Sequence, residues 1–152
     1  LPRQMVADVE RLKAYVDKSD QAPELTLIGR RDLRTNNSWM HNSQRLVKGK
    51  NRCDLFVHPD TAQQYDIGHG EQVYITSAVG ALKVEVAITE NIMPNVVSLP
   101  HGWGHHRQGM KISVASSNPG VSVNDITDQN FIDEMSGNAA LNGIPVELQK
   151  IW

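Results

Sequence analysis

At 152 residues, 39% hydrophobic and 21% charged, the chain has the composition of one ordinary globular domain. A domain of that size buries about 68–70% of the surface its unfolded form exposes. A formal net charge of -2 excludes bulk attraction to a polyanion such as nucleic acid. No run approaches about 18 apolar residues, which excludes a helical membrane span.

The chain opens on Leu1 rather than Met, as expected of an excised or processed piece. Met5, Val9, Leu12 and Val16 then recur at helical spacing, with Asp8, Glu10, Arg11 and Lys13 mostly opposite, so an amphipathic helix is expected, with Pro2 tolerated in its first turn. "KSDQAPE", residues 18–24, breaks the pattern as a connector. We take 1–24 as helix and linker and 25–152 as the domain proper.

From residue 25 the chain is β-rich. "ELTLIG" and "CDLFVH" have strand length, and "HPDTAQQYDIGHGEQ" predicts a short helix begun by Pro59 and ended near Gly68 and Gly70. In "QVYITSAVGALKVEVAIT", Leu82, Val84, Val86 and Ile88 alternate with Lys83 and Glu85, and Val79–Gly80 turns the chain back on Val73 and Ile75, which predicts a hairpin. "NVVSL" and "IPVEL" add two strands. Many short strands, few long helices and no fixed-period repeat predict a mainly β, closed or nearly closed barrel. Cys53, the single cysteine, allows no disulfide framework or CxxC pair; it reads as a buried strand thiol and fits a reducing, cytoplasmic compartment.

No GxSxG, HExxH or phosphate-binding Gly-Lys-Ser/Thr loop is present. Three polar clusters stand out instead. In "GRRDLRTNNSWMHN", Gly29 lets a backbone approach a ligand, and Arg30, Arg31 and Arg34 offer charged forks to phosphate. Asn36, Asn37 and Ser38 supply donors and acceptors, and Trp39 a flat face with one N–H. The alternative is a solvated loop whose arginines pair with acidic residues. The second cluster, "LPHGWGHH", puts His101 and His105 four apart, a metal-binding spacing on a helix. Gly102 and Gly104 argue against a helix there, and favour a hinged loop that lays His101 and Trp103 beside an organic ligand; a purely structural turn is the alternative. In the third, "VSVNDITD", Asn124 is the ligand candidate, while Asp125, Thr127 and Asp128 are explained by Asx or Ser/Thr capping, and Asp133 and Ser136 read as structural.

In this order, "LIGRRDLRTNNSWMHN", "VHPDTAQQYDIGHGEQVYITSAVGALKVEVAITENIMPNVVSLPHGWGH" and "VNDITD…SGN…NGIPVEL" strongly resemble the C-terminal molybdopterin-dinucleotide-binding domain of the dimethyl sulfoxide reductase family of molybdenum and tungsten oxidoreductases. The formate dehydrogenase-like and assimilatory nitrate reductase-like members are the nearest in pattern. The resemblance covers residues 25–149 and implies a double-psi β-barrel with a few short helices, in which "DIGHGEQVYI" is similar to the glycine-acidic turn of such barrels. It implies a molybdopterin guanine dinucleotide cofactor, carrying Mo or W, approached by Gly29 to His41, by His101, Gly102, Trp103, Gly104 and His105, and by Asn124. It also implies that the iron–sulfur and metal-ligating domains lie elsewhere in a longer chain, as this domain's partners, with the N-terminal helix at their junction. Two departures are visible: Asn95 stands where many relatives have Gly, though Asn tolerates the left-handed conformation, and "NDIT" replaces the commoner Asn-x-Leu-Thr. Two other readings remain: a free-standing barrel binding a protein or nucleic-acid partner through its Arg-rich loop, and a small His-dependent metalloenzyme.

Overall fold

The computed structural model describes residues 2–17 and 24–151. In chain order these form α1 (Arg3–Asp17), β1 (Thr26–Arg30), α2 (Gln44–Val47), β2 (Asp54–Val57), α3 (Pro59–Gln64), β3 (Gln72–Thr76), β4 (Ala81–Ile88), β5 (Val96–Pro100), α4 (Ser113–Ser117), a 3-10 turn (Val123–Ile126), β6 (Ile144–Pro145) and β7 (Glu147–Lys150). The connector at residues 18–24 lies outside the described residues except for Glu24.

Among the described residues the strands make one sheet in the order β6-β1-β5-β2-β4-β3-β7. β1 runs parallel to β5 and β2 parallel to β4, while the other neighbours are antiparallel. Both outer strands come from one stretch of chain. β6 pairs with β1 at Leu27↔Ile144, and β7 pairs with β3 at Ile75↔Leu148. Only Val146 separates them; it is buried, and its N–H bonds Leu25 O at 3.1 Å. A sheet whose two edges are adjacent in sequence must curl on itself, which leaves few unpaired edge groups exposed. "IPVEL" is therefore two short strands serving opposite edges, not the single strand expected.

The sheet curls around Leu25, Leu27, Leu55, Val57, Val73, Ile75, Val97 and Leu99, all at or near zero exposure. Each is worth about 1.5–3 kcal/mol of burial. β3 and β4 are the hairpin expected from their alternation, closed by Ser77 N–H on Gly80 O at 2.8 Å. α3 begins at Pro59 as expected, with His58 Nδ1 accepting the Asp60 N–H at 3.2 Å as its cap. Asn95 is left-handed (φ 61°), as its residue type allows. In the glycine-acidic turn, Glu71 Oε2 accepts the Gly68 N–H at 2.7 Å and faces Lys150 Nζ at 3.3 Å. That N–H bond and the lysine hold its carboxyl below the usual range.

α1 forms where its periodicity places it, but buries none of its residues; Met5, Val9, Leu12 and Val16 all face outward. Cys53 is 4% exposed, its Sγ accepting the Val121 N–H at 3.3 Å. Burial pushes the thiol up to about 11. In the folded chain it is expected to stay unmodified by an aromatic disulfide reagent at pH 8, one equivalent reacting only in denaturant. Rapid labelling of folded protein would overturn this packing.

Candidate functional site

β1 and β5 end in register, Arg30 opposite Pro100, so the loops 31–43 and 101–112 leave the sheet at the same end. His101 N–H prolongs the ladder to Arg30 O at 3.0 Å. This parallel pairing brings the first two polar clusters together although some 70 residues separate them.

Gly29 and Gly102 are the joints. A Cβ at Gly29 would collide with His101 Nε2, so the imidazole rests on the bare glycine. Sequence reasoning reserved that space for a ligand; this structure fills it with His101, whose proton affinity is lowered by burial and then by Arg31. The Gly29 N–H is bonded to Asn142 Oδ1 at 2.7 Å. At Gly102 (φ 89°) a Cβ would collide with Asn37 O, so the second loop sits directly on the first. Asn36 (φ 44°) and Asn37 (φ 63°) are consecutive left-handed residues, a conformation asparagine adopts more readily than bulkier residues. Asn37 Oδ1 also accepts from Arg31 Nη1 at 3.0 Å.

Beneath these joints lies a buried ring cluster. His41 Nδ1 and His105 Nε2 are 2.6 Å apart, and His41 stacks on Trp103 with centroids 4.0 Å apart at 34°. Burial, then the neighbouring His105, pushes His41 down to about 4, with Asp32 opposing; burial also lowers His105. His41 Nε2 and Trp103 Nε1 are both buried without a hydrogen-bond partner. Such groups are costly, and natural proteins rarely leave them so without reason. The tryptophans of the two loops differ sharply: Trp103 is 6% exposed and Trp39 82%.

The arginines do not act as a set. Arg30 turns into the protein, bonding Asp54 Oδ1, Asp54 O and Ser98 O and lying 3.6 Å over the Phe56 ring. Its fork is occupied by the chain itself, so the physical role visible here is structural. Arg31 and Arg34 are exposed, on the loop that also carries Trp39. The third cluster joins through the second. A Cβ at Gly104 would meet Ser122 Cβ at 2.7 Å, and Arg107 pairs with Asp125. Asn124 sits exposed on the 3-10 turn. Asp128 accepts the Asn130 N–H at 2.8 Å and Asp133 the Ser136 N–H at 2.7 Å, the local bonds expected of them. His101 and His105 point to different neighbours, and no group of three or more His, Cys, Asp or Glu among the described residues could hold a metal ion.

Sequence reasoning missed Asn142 and Asn42. Asn42 Oδ1 accepts the Val114 and Ala115 N–H groups at 3.0 and 3.2 Å, tying the first loop to α4. The Asn-Gly pair at 142–143 was a turn signal that could have drawn attention to Asn142.

Two polar loops on one end of a curled sheet, with unpartnered ring nitrogens beneath them, define a ligand-binding barrel-like domain. The chain belongs to the molydopterin dinucleotide binding domain family, whose model matches residues 25–145. The tetrathionate reductase of Salmonella typhimurium matches through one of its subunits, 23% identical over 62% of this chain and 11% of that subunit's length. The molybdopterin-containing subunit of arsenate respiratory reductase from Chrysiogenes arsenatis is 29% identical over 76% and 14%, and biotin sulfoxide reductase of Cereibacter sphaeroides 28% over 80% and 16%. The chain thus spans less than a fifth of the curated relatives it matches. Acetylene hydratase from Pelobacter acetylenicus shares the fold, with a TM-score of 0.71 and 21% identity over 88% of this chain and 19% of that one.

Proposed function

We propose that this domain covers one face of a molybdopterin guanine dinucleotide within a larger molybdenum or tungsten oxidoreductase. The observation that carries the reading is the pair of unpartnered buried nitrogens, His41 Nε2 and Trp103 Nε1, in the two loops of which the first also bears the exposed Arg31 and Arg34. A flat heterocycle rich in nitrogen and oxygen satisfies the former, and a pyrophosphate the latter, so the residues present fit the group. When bound, such a cofactor carries the electron and atom transfer itself. This chain's own part is to bind and orient: Arg31 and Arg34 neutralise phosphate, Asn36, Asn37, His101 and Asn124 supply polar contacts, and Trp39 and Trp103 exclude water. Arg30 supports the loop from below.

The finer fold reading, a double-psi barrel, is supported by the two parallel pairs β1–β5 and β2–β4 and by the shared edge segment 144–150. We place α1, with its uncovered apolar face, at the junction with the iron–sulfur and metal-ligating parts of the parent, in a cytoplasmic setting. The named relatives are tetrathionate, arsenate and biotin sulfoxide reductases, so the proposal stands at the family rather than at a formate dehydrogenase-like subtype.

The test is to incubate the chain with molybdopterin guanine dinucleotide, separate it by gel filtration, and measure pterin fluorescence in the protein fraction. Arg31→Ala combined with Arg34→Ala is expected to lower retention at least about tenfold, the equivalent of one charged hydrogen bond. Both sites are exposed, so stability is expected to move by no more than about 0.5 kcal/mol. Undiminished retention, or a parallel loss of fold, counts against the phosphate role.

A further inference from the structure

We propose that Asn142 is a further cofactor-binding residue: its side-chain oxygen is fixed on the Gly29 N–H, which leaves its two amide hydrogens as oriented donors to an acceptor oxygen of the bound dinucleotide. This rests on the cofactor reading above and adds to it a contact from the other flank of β1.

β1 has a neighbour on each side near the end where the polar loops leave. On one side β5 runs on into His101, whose N–H bonds Arg30 O at 3.0 Å. On the other, β6 pairs with β1 as far as Leu27↔Ile144, and the Gly143 N–H bonds Leu27 O at 3.0 Å. Because β6 is antiparallel to β1, the residues before Ile144 continue toward Arg30, so Asn142 stands at the loop end of the sheet. There its Oδ1 takes the Gly29 N–H at 2.7 Å, one further rung made by a side chain where the strand has ended. Gly29 is thereby held twice: Asn142 takes its N–H, and the His101 imidazole fills the place a Cβ would occupy. Residues 29, 101 and 142, far apart in the chain, meet on one glycine, two positions before Arg31.

The Asn142 bond has only one possible sense. A peptide nitrogen donates and never accepts, so the atom facing it is the amide oxygen and the NH2 group lies at the other end. Asn142 is exposed, and among the described residues nothing accepts from its Nδ2. A donor already held in orientation loses less freedom on binding than a mobile one. Its uncharged, donor-only end suits the oxygens of a phosphate or of a heterocycle carbonyl, and reads their position where Arg31 and Arg34 supply charge.

Two variants of the chain separate the donor from the clamp. Asn142→Asp keeps an oxygen for the Gly29 N–H but removes the donors, and Asn142→Ala removes both without adding charge. Retention of molybdopterin guanine dinucleotide is read by pterin fluorescence after gel filtration, and the clamp by hydrogen exchange of the Gly29 amide. Both variants are expected to retain cofactor at least about tenfold more weakly than wild type, the loss of one hydrogen bond to a charged group. Gly29 exchange is expected to stay slow in Asn142→Asp and to quicken only in Asn142→Ala. Native retention in Asn142→Asp makes Asn142 a structural clamp alone and overturns the proposal. Native retention in Asn142→Ala beside a loss in Asn142→Asp traces the effect to charge repulsion and overturns it too, as does rapid Gly29 exchange in Asn142→Asp, which ties the loss to the clamp. A wild-type chain that retains no cofactor overturns the cofactor reading itself, and the donor role with it, whatever Gly29 exchange shows.

Discussion

Replacing Arg30 by alanine is expected to destabilise this chain by about 3–5 kcal/mol, the range for breaking a buried ion pair by removing one partner. The side chain bonds Asp54 twice and Ser98 O once, and lies on the Phe56 ring, so its loss strands a carboxylate and two carbonyls in a half-buried seam. Asp54 sits on β2 and Ser98 on β5, so the guanidinium ties together three adjacent strands, β1, β5 and β2, at the end where the loops leave. Burial lowers the proton affinity of Arg30 and Asp54 opposes that, the signature of a cation that depends on its partner. For a chain near 150 residues the loss corresponds to a melting temperature lower by roughly 6–20 °C. Thermal unfolding of Arg30→Ala beside Arg34→Ala checks it. A native melting temperature for Arg30→Ala, together with weakened cofactor retention, would return Arg30 to the ligand set that sequence reasoning gave it.

Arg30 also shows why the sequence was legible in some respects and not in others. Strands and turns are local: the alternation of Leu82 to Ile88, the Pro59 helix start and the tolerance of Asn95 for a left-handed backbone all rest on neighbours a few residues away, and each appears in the structure. The local Asx bond of Asp128 was legible for the same reason. What separates Arg30 from Arg31 and Arg34 is non-local. Asp54 and Ser98 lie 24 and 68 residues away, and only the β1–β5–β2 adjacency brings them within reach. Nothing in "GRRDLR" distinguishes a fork that grips its own chain from one that faces solvent.

The same limit applied to the histidines. His41 and His105 were each chosen for their residue type and their company, but their mutual contact follows from the register of a parallel pair with no hairpin signal. Gly29 was read as making room for a ligand, whereas here it makes room for His101. That difference alters the chemistry: His101 becomes part of the floor of the site, seated before any ligand arrives.

Lowering the pH from 7 toward 4 is expected to cost the folded chain about 3 kcal/mol through His41 alone. The unfolded imidazole takes its proton near its ordinary 6.5, whereas the folded one, buried beside His105, takes it only at about 4. Between those values the unfolded chain binds the extra proton, so stability is full above about 6.5, falls as the pH drops through the window, and loses nothing further from this group below about 4. The gap of about 2.5 units, at 1.36 kcal/mol each, gives the magnitude. His101 and His105 are lowered too, by burial first in both cases, and steepen the fall in the same direction. Glu71 and Asp133 are carboxylates held below their usual values, so their losses come at lower pH. Urea midpoints at pH 7.5, 6.0 and 4.5 separate the two groups. The wild type should weaken markedly across that range, and His41→Phe, which carries no proton to take up, should weaken less. An equal fall in both chains would show that His41 is not the buried neutral group on which the ring cluster depends.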